Sequence, residues 1–175
     1  VETYYDGDQS IVRRYTDLTL IGTVRSALLD QRFRLEAQTV VSFGDAPATP
    51  KFELLLRMSN EQGESVSPEK FLSAAERYQL APAIDRWVVR RTIEMLTPHA
   101  ARLQELQAGF AVNISGQSLG DAEFAAFMDT TLRESKLPRG LLSFEVTETA
   151  AVANIVRAEA LIRRLRELGS DVALD

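Results

Sequence analysis

Gly109–Ser115 (GFAVNIS), Asp121–Ser135 (DAEFAAFMDTTLRES), Leu141–Glu148 (LLSFEVTE), Asn154–Leu168 (NIVRAEALIRRLREL) and Asp171–Asp175 (DVALD) follow one another along the C-terminal part of the chain. The first, third and fifth are short, largely apolar runs of strand length. The second and fourth are longer and amphipathic. In the second, Phe124, Phe127, Met128 and Leu132 fall on one helical face; in the fourth, Ile155, Leu161, Ile162, Leu165 and Leu168 are expected to point inward, with Gly169 as the C-cap. Regular strand–helix alternation implies a parallel sheet with helices packed on it, because a parallel crossover must climb back over the sheet.

Working outward, Arg32–Ser42 (RFRLEAQTVVS) reads as a strand, and the stretch GDAPATP after it, with two prolines, as a loop. Lys51–Met58 (KFELLLRM) is ambiguous by periodicity but bounded like a buried strand. Ser67-Pro68 reads as an N-cap with proline at the first helical position, and Phe71, Leu72 and Ala75 lie on the helix that follows. Ala83–Leu96 reads as a helix with Ile84, Trp87, Val88, Arg91 and Met95 along its buried stripe, stopped by Pro98. Residues 17–31 place Leu18, Ile21, Val24 and Leu28 at helical spacing. Residues 1–16 are polar and read as a linker or the tail of a preceding domain.

The chain has 175 residues, 45% hydrophobic and 26% charged, the composition of one ordered domain. There is no cysteine and one histidine, His99, which reads as a surface or helix-capping residue. Thiolate chemistry, iron–sulfur sites and Cys/His zinc sites are therefore excluded. With 20 Lys and Arg against 25 Asp and Glu, the net charge of −5 argues against a DNA-coating function. The arginines around 86–91 and 163–166 lie among glutamates and read as a solvated, ion-paired face. No apolar run approaches 18 residues and the first residues do not resemble a signal peptide, so the cytoplasm is the expected location.

Four apolar strands carry an oxygen donor: Glu53, Asn113, Glu145 and Asp175. In parallel α/β folds, functional groups gather at the carboxyl ends of strands. A convergent set of hard oxygens suits Mg²⁺ or Mn²⁺. Spacing alone leaves open a second reading, that these are unrelated polar residues at strand edges. A carboxylate within an apolar strand needs a partner, which favours convergence.

FELLLR, VSPEKFLSAAERYQL, IDRWVV, FAVNIS, FEVTET and DVALD, in that order, resemble the EAL domain of bacterial cyclic di-GMP phosphodiesterases. The resemblance covers residues 32–175, and the domain is placed at 17–175. It implies a TIM-like (β/α)8 barrel with an antiparallel first strand, of which about five strands belong to this chain. It implies a longer parent chain, since the family's D-D-F-G loop and catalytic lysine would follow Asp175. It also implies a phosphodiesterase with two Mg²⁺ or Mn²⁺ ions that linearises cyclic di-GMP to pGpG. By motif position, Glu53, Asn113, Glu145 and Asp175 would be metal ligands, with Glu53 essential to catalysis. Arg57, with the Leu56 backbone beside it, would contact a ligand phosphate, Gln38 would lie near a guanine base, and Glu148 would support the site. Glu76 and Asp85 match positions read as structural. Leu54 stands where the family has alanine, pointing away from the Glu53 face. A preceding GGDEF or sensor domain, a homodimer and membrane anchoring through other regions of a parent chain fit the same picture. The competing readings are an inactive EAL module that acts as a cyclic di-GMP receptor and a ligand-free interaction module using the outer helices.

Overall fold

Strands that carry apolar residues at alternate positions need a helical layer against one face, and the order of elements supplies it. The computed structural model describes residues 9–41, 49–153 and 155–174. In chain order these form α1 (Gln9–Leu29), β1 (Phe33–Val40), β2 (Lys51–Ser59), β3 (Ser65–Val66), α2 (Pro68–Arg77), α3 (Ala81–Leu96), a 3₁₀ turn (Thr97–His99), α4 (Ala100–Glu105), β4 (Gly109–Asn113), α5 (Gly116–Leu119), α6 (Ala122–Glu134), β5 (Leu142–Val146), α7 (Glu148–Ala153), α8 (Ile155–Leu168) and β6 (Asp171–Leu174). The sheet runs β1-β2-β4-β5-β6, with β3 paired to β2. β2, β4, β5 and β6 are parallel, and β1 is the antiparallel first strand.

The chain divides into two compact units, residues 1–34 with 57–80 and residues 35–56 with 81–175. In the first, α1 packs on α2 through buried Ile21, Val24 and Ala27 and buried Phe71, Ala74 and Ala75. The Phe33 and Phe71 rings lie 5.9 Å apart. Arg77 donates twice to buried Asp17, from Nε to Oδ2 at 3.0 Å and from Nη2 to Oδ1 at 2.8 Å. This fork geometry suits a guanidinium on a carboxylate. β2 turns back antiparallel into β3, with Met58 opposite Val66. Asn60 closes that turn by accepting from the Gln62 and Glu64 amides.

In the second unit, the core holds Val112, Phe124, Met128, Phe144, Val146, Leu161 and Leu165, all nearly inaccessible to solvent. Phe52 and Phe110 stack across neighbouring strands at 5.2 Å. The return from α8 to β6 passes through Gly169 at φ +95°, a left-handed cap. Arg139 caps the same helix end by donating to the Glu167 and Arg166 carbonyls.

Some expectations are corrected and others are met. α1 begins at Gln9 rather than at residue 17, because residues 9–16 contain no glycine or proline to interrupt it. Ser67 is the N-cap of α2 with Pro68 opening the helix, as expected; its side chain makes no cap bond, and its backbone carbonyl accepts from the Lys70 and Phe71 amides. The buried stripe of α3 is Ala81, Ile84, Asp85, Val88, Val89, Thr92, Ile93 and Leu96. Trp87 is half-buried and Arg91 and Met95 are exposed. The stripe is rotated from the expected one because the carboxylate of Asp85 finds donors inside the fold. α3 ends at Leu96, as expected from Pro98, and the 3₁₀ turn Thr97–His99 leads from it into α4. Ile155, expected inward, is exposed.

Candidate functional site

The strands of the second unit alternate, as a pleated backbone must. Leu54, Val112 and Phe144 lie in line and are buried. Glu53, Ala111, Asn113, Ser143 and Glu145 therefore share the opposite face. On that face Glu53 is level with Ala111, and Asn113 is level with Glu145. Asn113 stands two residues beyond Ala111, roughly 6.5 Å further along the strand direction. Its carboxamide spans that offset by turning back: Nδ2 donates to Glu53 Oε1 at 2.7 Å.

The bond orients both groups. Asn113 presents its nitrogen to Glu53, so its Oδ1 is the other end of the amide. The Ile114 amide donates to the Glu145 carbonyl at 2.9 Å, holding β4 to β5 directly after Asn113. Glu53 and Glu145 are half-buried and Asn113 is exposed. Three neighbouring parallel strands thus bring two carboxylates and one amide to one face.

That donor set is all oxygen, with no sulfur and no imidazole. It matches a small hard cation such as Mg²⁺ or Mn²⁺ in charge and in ligand type. Among the described residues, no group of three His, Cys, Asp or Glu side chains comes together. The described cluster has two carboxylates, its third member being Asn113. Asp175, expected as the fourth ligand, lies outside the described residues.

The remaining expected residues are distributed more widely. Gln38 is exposed on β1. Leu56 and Arg57 are half-buried on β2, with Arg57 at the strand parity of Glu53. Leu56 belongs to the second unit and Arg57 to the first. Glu148 is exposed at the first position of α7. His99 is exposed in the 3₁₀ turn, as a surface reading requires.

One group read as structural from the sequence is tied to the segment that follows Asn113. Asp85 is 7% exposed on α3, and its Oδ2 accepts from the Ser115 amide at 2.9 Å and the Ser118 hydroxyl at 2.6 Å. The signal was present. A carboxylate between Ile84 and Val88 on an apolar stripe demands an internal partner.

Comparison with known proteins shows the family to which the chain belongs. The family model described as EAL domain matches residues 21–175. Cyclic di-GMP phosphodiesterase PdeF of Escherichia coli (strain K12) is 31% identical over 90% of this chain and 20% of its own length. Cyclic di-GMP phosphodiesterase PdeB of Shewanella oneidensis is 28% identical over 100% of this chain and 20% of its own. The chain thus spans about a fifth of the curated relatives it matches. Among solved structures, the FimX EAL domain from Pseudomonas aeruginosa bound to c-di-GMP superposes with a TM-score of 0.78 at 33% identity, covering 89% of this chain and 61% of that one.

Proposed function

We propose, from the premise that the chain belongs to the EAL domain family, that it contributes metal-ligating and substrate-binding residues to a phosphodiesterase acting on cyclic di-GMP. The observation that carries the proposal is the Glu53–Asn113 bond, with Glu145 level with Asn113 on the next strand. Two of the relatives it matches are named cyclic di-GMP phosphodiesterases, and one matched solved structure is an EAL domain bound to that dinucleotide.

EAL phosphodiesterases are generally dependent on divalent metal. Glu53, Asn113 Oδ1, Glu145 and Asp175 are the residues of this chain that would hold Mg²⁺ or Mn²⁺. Bound metal supplies a nucleophilic hydroxide at neutral pH and charge to stabilise the attacking and leaving oxygens of a phosphodiester. The protein residues do the rest. Asn113 holds the Glu53 carboxylate at one orientation through its amide N–H. Arg57 braces a phosphate oxygen with charge-assisted hydrogen bonds, the Leu56 backbone lying beside it. Gln38 reads a guanine edge through its paired donor and acceptor, and Glu148 supports the site from the start of α7.

The test is hydrolysis of cyclic di-GMP to pGpG by the intact protein with Mg²⁺, with and without a chelator. Chelator-sensitive turnover supports the enzyme. Binding of the dinucleotide without turnover would replace it with a receptor.

A further inference from the structure

We infer that Asp85 is a positioning residue for the Asn113–Glu53 pair, an inference that rests on the metal-site reading just given. Asn113 is the last residue of β4, and an exposed side chain at a strand end is only as well placed as the backbone behind it. That backbone is pinned at successive residues. The Ile114 amide donates to the Glu145 carbonyl, and the buried Ile114 side chain anchors the same residue. The Ser115 amide, one residue on, donates to Asp85 Oδ2 at 2.9 Å. The same oxygen takes the hydroxyl of fully buried Ser118 at 2.6 Å. Ser115 in turn caps the single turn of α5, its Oγ accepting from the Ser118 amide.

Asp85 therefore ties α3 to the segment that leaves β4. A buried carboxylate accepting short bonds from a backbone amide and a hydroxyl is a stiff anchor, because neither donor can swing away as a long side chain can. Its effect reaches Glu53 through two links, the two-residue backbone step from Ser115 to Asn113 and the 2.7 Å amide–carboxylate bond. Partners behind metal ligands commonly act this way, holding the ligand at its working orientation without touching the metal.

The experiment compares wild type, Asp85→Asn, Asp85→Ala and Ser118→Ala in the intact protein by two readouts that do not depend on turnover. The first is the side-chain amide proton pair of Asn113 in metal-free protein, observed by ¹⁵N NMR. The second is the Mn²⁺ concentration at half-saturation, without substrate. Asp85→Ala is expected to move the Asn113 signals toward those of a solvent-exposed amide and to raise the Mn²⁺ midpoint about 10-fold or more. Asp85→Asn keeps an acceptor oxygen and is expected to stay within about 3-fold of wild type, rescuing the Asn113 signals. Ser118→Ala removes one donor and is expected to fall between them. A soluble Asp85→Ala protein with lowered thermal stability but unchanged Asn113 signals and Mn²⁺ midpoint would overturn the inference. If Asp85→Ala does not fold, unchanged signals and midpoint in Ser118→Ala overturn it instead. A wild-type protein that binds no Mn²⁺ refutes the metal reading, and the Asn113 signals then decide the positioning role alone.

Discussion

Two helices of the second unit each carry a carboxylate that receives several hydrogen bonds, and they differ in what those bonds accomplish. Asp85 on α3 is buried and accepts from a backbone amide and a hydroxyl. Asp129 on α6 accepts from the guanidinium groups of Arg164 (2.5 Å) and Arg133 (3.0 Å), and Arg164 is shared with Glu167 at 2.7 Å. The second cluster has more formal charge. It joins flexible side chains on helix surfaces, where solvent screens the attraction and side-chain entropy opposes it. The first has less charge but fixes a backbone segment directly behind a strand end. Count of charges is thus a poor guide to which polar cluster matters. Burial and the identity of the donor decide.

The largest expected effect lies on the face that Asp85 supports. Glu53→Gln keeps the shape and an acceptor for Asn113 but removes the anionic ligand. Hydrolysis of cyclic di-GMP by the intact protein should fall by about 100-fold or more, measured as kcat at saturating Mg²⁺. A variant with full activity would detach Glu53 from the chemistry. The next effect is on stability. Asp85→Ala leaves the Ser115 amide and the buried Ser118 hydroxyl without this acceptor and should cost about 2–4 kcal/mol in urea unfolding. A cost below about 0.5 kcal/mol would place Asp85 in the same class as Asp129.

A backbone control follows. Gly169→Ala forces a side chain into φ +95° and brings its Cβ to 2.7 Å from Arg139 Cγ. It should destabilise by about 1–2 kcal/mol while leaving Mn²⁺ binding unchanged, since it acts at the far end of α8.

The smallest effect belongs to the exposed cluster. Burial works to raise the Asp129 carboxyl, but hydrogen bonds from Arg164 and Arg133 outweigh it and hold the group below the usual carboxylate range. The Arg164 guanidinium is raised, first by Glu167 and then by Asp129. A depressed folded-state carboxyl stabilises fully above the unfolded value of about 4 and loses that contribution as pH falls through the folded value. Asp129→Asn should therefore shift the melting temperature by less than about 2 °C at pH 7, and the difference should vanish toward pH 2. A larger shift at pH 7 would break the contrast between the two clusters.

The strand–helix alternation was legible in the sequence because β4, β5 and β6 are short apolar runs separated by amphipathic stretches long enough to close a parallel crossover. The oxygen donors Glu53, Asn113 and Glu145 were legible as polar residues on apolar strands. Their arrangement was not, because the level of Glu53 against Ala111 depends on strand register, which no local pattern sets. α5 and α7 escaped notice because segments of one or two turns carry too little periodicity. Asp85 was read as structural, but the groups it holds were not legible, because they lie 30 and 33 residues away.

The central claim is that Glu53, Asn113 and Glu145 form one side of a divalent-metal site, and a Mn²⁺ titration tests it without recourse to turnover. Wild type and Glu53→Gln would be followed by the loss of the free-ion EPR signal in substrate-free intact protein. The account predicts saturable binding by wild type and a midpoint at least about 10-fold higher in the variant. Equal midpoints, or no saturable binding by wild type, would contradict it.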